Sequence, residues 1–163
     1  MMNLKNNKKF KGTHMKVFYV TNIHPRSHNR GGSSDGYKQT LRQDFNSRYS
    51  QLYENLPIKD QELQTHVVYI HQLRRGCIPD VDNLSKPIVD AFIGIIYEDD
   101  NLIIRRTADI LKLSDFDFMS VDATNMPIQV YQAFENYYLG NERNILFFEV
   151  GNFDKSKIKI GEV

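Results

Sequence analysis

Four runs rich in β-branched and aromatic residues alternate with three stretches of helical spacing, and this order restricts the chain to a mixed architecture of strands and helices. MKVFYVTNI (15–23), LQTHVVYIHQL (63–73), NLIIRR (101–106, able to run on to Leu113) and NILFFEV (144–150) read as strands. From Asp35, residues Tyr37, Leu41, Phe45, Tyr49 and Tyr53 recur every fourth position and line one face of a helix limited by Pro57. Lys38, Arg42 and Arg48 fall off that stripe, where solvent or phosphate meets them. NLSKPIVDAFIG (83–94) reads as a short helix burying Leu84, Ile88, Ala91 and Phe92, with Pro87 in or just past its first turn and Gly94 as terminator. A third helix is expected over 128–139. HPRSHNRGGSS (24–34) is a loop by its Pro, Gly and Ser content, and RRGCIPDVD is a turn-like connection. The expected fold class is α+β, a mixed sheet flanked by helices, in one domain over 15–163 behind a flexible basic leader at 1–14.

No stretch approaches the roughly 18 apolar residues that span a bilayer. The leader has no apolar segment of a secretory signal, and a single cysteine, Cys77, forms no internal disulfide. These features point to a reducing compartment, with the cytoplasm as the default. The net charge of +1 hides an asymmetry. Residues 1–50 hold ten Lys and Arg against two acids, whereas residues 51–163 hold eleven against eighteen. A basic N-terminal part beside an acidic remainder suits a polyanion-binding surface next to a cation site. The leader's own lysines also fit a merely solvated tail.

The chemistry is concentrated in Asp80, Asp82, Asn83, Lys86, Asp90 and the run Glu98-Asp99-Asp100. On extended backbone, Asp80 and Asp82 project to the same side. From Asp82 onward, Lys86 and Asp90 follow at four-residue spacing and share a helix face. A short return brings Asp99 and Asp100 back toward the same place. Clustered carboxylates repel unless a cation neutralises them, and an all-oxygen set suits Mg²⁺ or Mn²⁺ rather than zinc. Such a site neutralises a phosphodiester and activates water, with Lys86 placed to stabilise the transition state. Taken singly, each piece has an ordinary reading. Asp82 or Asn83 can be a helix cap, Lys86 and Asp90 a surface pair, and Asp99-Asp100 a solvated turn. A calcium loop is excluded, because Ser85 and Ala91 stand where it needs Gly and Glu.

Taken together, PDVDNLSKPIVDAFIGIIYEDD resembles the signature of the RusA family of Holliday junction resolvases, D-x-D-N-x-x-K-x-x-x-D-A-L followed by D-D, with Phe92 in place of Leu. Upstream, Pro25, Ser27, Asn29 and Arg30 resemble that family's P-x-S-x-N-R loop. The resemblance implies a homodimeric α+β nuclease that needs Mg²⁺ or Mn²⁺ and resolves four-way DNA junctions by paired symmetric nicks. It implies Asp80, Asp82 and Asp100 as metal ligands, Asp99 as their less certain neighbour, and Lys86 as the catalytic lysine. Asn83 and Asp90 fit supporting roles. Arg26, Asn29, Arg30, Lys38, Arg42, Arg74 and Arg75 are the expected DNA contacts.

Three departures stand out. Asn101-Leu102-Ile103 lacks the Gln that the family often carries after D-D, and Pro79 stands where a basic residue is common. An apparent insertion at 113–142 holds no Lys or Arg but five acids and six aromatics, Phe116, Phe118, Tyr131, Phe134, Tyr137 and Tyr138. A segment without cations does not track phosphates, so those aromatics are expected to cover the core or a protein interface. Two competing functions are a non-catalytic DNA- or protein-binding member of the same fold, and a nucleotidase or RNA nuclease. Ten cations in the first fifty residues exceed what a small nucleotide requires.

Overall fold

Seven principal elements follow in the expected alternation: β1 (Lys16–Thr21), α1 (Asp35–Arg48), β2 (Leu63–His71), α2 (Val81–Ala91), β3 (Ile103–Lys112), α3 (Ile128–Leu139) and β4 (Asn144–Asn152). They are seen in a computed structural model that describes residues 16–25, 34–72, 78–115, 119–140, 142, 144–158 and 161. The strands form one mixed sheet in the order β1-β4-β2-β3. β4 runs antiparallel to both β1 and β2, while β2 and β3 are parallel. Parallel neighbours need a crossover, and α2 supplies it.

The period-2 alternation of the strands gives the sheet two apolar faces. Tyr19 is in register with Phe148, and Phe148 with Val67, so these side chains share a face. On that face Phe92 packs against Tyr19 at 5.3 Å, Phe148 at 5.3 Å and Phe45 at 5.6 Å between ring centroids, which fixes α1 and α2 to the sheet. Leu84, Ile88, Ala91 and Phe92 are all fully buried, as the spacing of α2 predicts. Phe147 points the other way, meeting Phe18 at 6.0 Å and Phe134 of α3 at 6.5 Å. The sheet therefore lies between α1/α2 and α3.

The aromatics expected over 113–142 divide accordingly. Phe134 is buried against the sheet. Tyr131 and Tyr138 are half-buried beside Met119, Val121 and Leu139, around a cavity of about 280 Å³. Phe116 and Phe118 lie outside the described residues.

The stripe on α1 buries Tyr37, Leu41 and Phe45 within the helix and Tyr49 just after it. Tyr53, its fifth member, is beyond the helix, which ends at Arg48, well before Pro57. Its hydroxyl instead donates to Phe18 O at 2.8 Å and accepts from Phe18 N at 2.9 Å. Tyr49 donates its hydroxyl to Val20 O at 2.9 Å. These bonds satisfy outward-facing groups on the edge strand β1 and blunt it against further pairing. Arg48, expected to face solvent or phosphate, is instead drawn back onto the protein and only partly exposed. Its Nη1 reaches Asp44 at 3.2 Å and Val20 O at 3.4 Å, and its guanidinium covers Tyr49 and Tyr137.

α2 starts earlier than the apolar pattern suggests, so Pro87 falls in its middle rather than in or just past its first turn. There it cannot donate to the carbonyl four residues back, that of Asn83, which loses one intrahelical bond. The chain leaves α2 through Gly94, whose φ is +76° and whose N donates to Tyr97 O at 2.7 Å. No atom would obstruct a Cβ there, so only the left-handed backbone demands glycine. Gly94→Ala is expected to cost about 1–2 kcal/mol, read as a lower urea midpoint at unchanged slope. An unchanged midpoint would show that this turn tolerates an ordinary residue.

Candidate active site

Asp80 stands immediately before α2, with extended backbone (φ −64°, ψ 154°), and its carbonyl accepts from Leu84 N at 2.8 Å. Its side chain makes no capping bond. Asp82 lies inside the first turn. The expectation that both acids ride extended backbone therefore holds for Asp80 alone, and Asp80 rather than Asp82 or Asn83 occupies the cap position. Both carboxylates instead sit at the helix N-terminus, where unpaired amides and the aligned peptide dipoles favour negative charge. Both residues are exposed, and neither carboxylate has a hydrogen-bond or ion-pair partner among the described residues.

The second acidic run returns to the flank of α2. The Tyr97 hydroxyl donates to Val89 O at 2.5 Å, pinning the returning chain to the helix. Burial, followed by the negative fields of Asp90 and Asp100, raises the pKa of this buried phenol well above its ordinary value. Asp90 and Asp100 thus both act on one hydroxyl. Asp99 uses Oδ1 to accept from Asn101 N at 2.9 Å, shaping the single turn Asp100–Leu102. The Asp100 side chain makes no such bond among the described residues and is exposed. Within the acidic pair, Asp99 is engaged locally and Asp100 is open.

The four acids do not form a ready-made cradle. Among the described residues, no three His, Cys, Asp or Glu side chains lie close enough together to hold one ion. Carboxylates with nothing between them repel, which favours solvent-facing rotamers over convergence. The donor chemistry nevertheless fits a hard cation. Asp80, Asp82 and Asp100 offer oxygen only, are exposed and have no hydrogen-bond or ion-pair partner among the described residues. Mg²⁺ retains several waters and commonly binds through one or two carboxylates plus substrate phosphate, so a closed cage is not required.

The remaining expected residues fall into two groups. Lys86 is exposed, one helical turn beyond Asp82, with Nζ 3.4 Å from Asp90 Oδ1. Asn83 is half-buried in the first turn of α2. Lys38 and Arg42 turn inward from α1 to α2. Lys38 Nζ is 3.3 Å from Asp90 Oδ2, and Arg42 Nε donates to Ala91 O at 2.6 Å. Arg26, Asn29, Arg30, Arg74 and Arg75 lie outside the described residues, as do the leader and Cys77. Of the strand histidines, His66 Nε2 is 2.6 Å from Asp109 Oδ2, while buried His71 packs its ring on Tyr69.

Sequence reasoning missed Tyr97 and the inward turn of Lys38 and Arg42. Tyr97 directly precedes the acidic run, and Lys38 and Arg42 are one helical turn apart. Those spacings were the available signals, but neither named a partner on α2. The model of the family described as "Endodeoxyribonuclease RusA" matches residues 25–117. The matched span takes in α1, β2, α2, the acidic turn and β3, and leaves β1, α3 and β4 outside it. Among curated proteins, none matches the sequence significantly.

Proposed function

Because the chain belongs to the RusA endodeoxyribonuclease family, we propose that it is a Mg²⁺- or Mn²⁺-dependent, structure-selective endonuclease that resolves four-way DNA junctions as a homodimer. The observation that carries this reading is that the exposed carboxylates of Asp80, Asp82 and Asp100 have no partner among the described residues and that exposed Lys86 follows Asp82 by one turn of α2, all within the matched span. Asp80, Asp82 and Asp100 would hold the cation, with Asp99 supporting the turn that presents Asp100. A divalent ion bound there would neutralise the phosphodiester and lower the pKa of a water for in-line attack.

The chain's own residues have separable tasks in this reading. Lys86 offers ammonium donors to the charge that develops on the phosphoryl oxygens. Tyr97 holds the acidic turn against α2. Arg26, Asn29, Arg30, Arg74 and Arg75 would meet the DNA backbone and set register without reading sequence. Paired nicks would come from two copies of the site related by the dimer's symmetry.

Incubation with a synthetic four-way junction and Mg²⁺ or Mn²⁺ tests this reading. The expected product is a pair of symmetric nicks with ligatable ends. Failure of well-folded protein to cut any branched DNA would sink the nuclease assignment. A second reading, a DNA-binding member without catalysis, is favoured by the lack of three converged metal-binding side chains among the described residues. It predicts metal-independent junction binding with no cleavage.

A further inference from the structure

Asp90 lies between two ammonium groups. Its Oδ1 is 3.4 Å from Lys86 Nζ on the same helix, and its Oδ2 is 3.3 Å from Lys38 Nζ on α1. The Asp90 and Lys38 side chains are largely covered, at 17% and 23% exposure, whereas Lys86 retains 47%. One turn beyond Lys38, Arg42 donates Nε to Ala91 O at 2.6 Å, so α1 grips two consecutive residues at the end of α2. That grip fixes Lys38 in register with Asp90.

We propose that Lys38 is a positioning residue for Lys86, not a DNA contact. By occupying one oxygen of Asp90, it weakens the hold of that carboxylate on Lys86 and leaves the Lys86 ammonium available to the charge that develops on the phosphoryl oxygens in the transition state. This rests on the nuclease reading above. The physical basis is charge sharing. A lone carboxylate attracts Lys86 as a full counter-charge, whereas a carboxylate already paired with Lys38 presents little net charge. Partial burial makes the difference larger than it would be between fully solvated groups. A largely covered lysine with a committed ammonium is also poorly placed to neutralise a DNA phosphate.

The test combines three variants with junction binding, cleavage kinetics and the mobility of the Lys86 ammonium. In Lys38→Met, Asp90 pairs with Lys86 alone. Turnover is expected to fall about tenfold, while junction affinity and its salt dependence stay unchanged. Lys38→Arg should retain most turnover. The double variant Lys38→Met/Asp90→Asn also removes the carboxylate that would otherwise hold Lys86, and should recover part of the turnover lost in Lys38→Met. Weaker junction binding in Lys38→Met, with a salt dependence reduced by about one unit and turnover intact, would identify Lys38 as a phosphate contact and overturn the proposal. Absence of any recovery in the double variant would also overturn it.

¹⁵N relaxation of the Lys86 ammonium in the free protein separates this proposal from the nuclease reading. Lys38→Met should make that group more ordered; unchanged mobility refutes the coupling even if the wild-type protein cuts junctions. Wild-type protein that cuts no branched DNA refutes the nuclease reading, and the relaxation result still decides whether Lys38 controls Lys86.

Discussion

Asp82→Asn is expected to lower junction cleavage about a thousandfold or more while leaving junction binding intact or tighter. A metal-held carboxylate contributes several kcal/mol of transition-state stabilisation, and each 1.36 kcal/mol is about tenfold in rate. The amide keeps the size and shape of the side chain but loses the charge that would hold a hard cation in the proposed site. Because Asp82 is exposed and has no partner among the described residues, its replacement leaves no buried group unsatisfied. If DNA passes Asp82 as proposed, removing its negative charge also reduces repulsion of phosphate, which is why binding should not weaken. Single-turnover cleavage and an electrophoretic binding assay check the two halves separately. Unchanged cleavage would remove Asp82 from the proposed metal site.

The second large effect falls on stability. Phe92→Ala is expected to destabilise the fold by about 3–5 kcal/mol, a large share of the stability of an ordinary domain. Phe92 is fully buried, and its ring meets one aromatic from each of three other elements: Tyr19 of β1, Phe45 of α1 and Phe148 of β4. It stands just after α2, so the cavity would open where that helix is secured to the rest of the core. Urea unfolding should show a lower midpoint, and hydrogen exchange should show the amides of α2 losing protection. A loss below about 1 kcal/mol would mean that the surrounding rings collapse fully into the space.

Asp82→Asn and Phe92→Ala separate two kinds of information in one short segment. Leu84, Ile88, Ala91 and Phe92 were legible as a buried face because helical periodicity is a local property of consecutive residues. The acids and Lys86 stand out as a run of residue types for the same reason, since charged residues at fixed spacing need no knowledge of the fold; whether they act together is a matter for the proposed tests. Their local backbone was less legible. Asp80 and Asp82 look like strand neighbours when the apolar pattern sets the helix start, yet the helix begins before that pattern and separates their conformations. Arg48 shows the same limit. Its place off the apolar stripe suggests solvent, but Asp44, Val20, Tyr49 and Tyr137 surround it in the fold.

The sequence by itself determined the alternation of elements, the buried faces of α1 and α2, and the residue types available for metal and phosphate chemistry. Each follows from spacing along a few turns or strand repeats. Tertiary structure alone decided that β4, last in the chain, lies between β1 and β2, and that Lys38 and Arg42 turn onto α2. Those outcomes depend on segments distant in sequence meeting in space: Lys38 finds Asp90 across 52 positions, and Arg42 finds Ala91 across 49. A long, flexible cation carries no local mark of which distant oxygen it will reach; packing of α1 on α2 makes that choice.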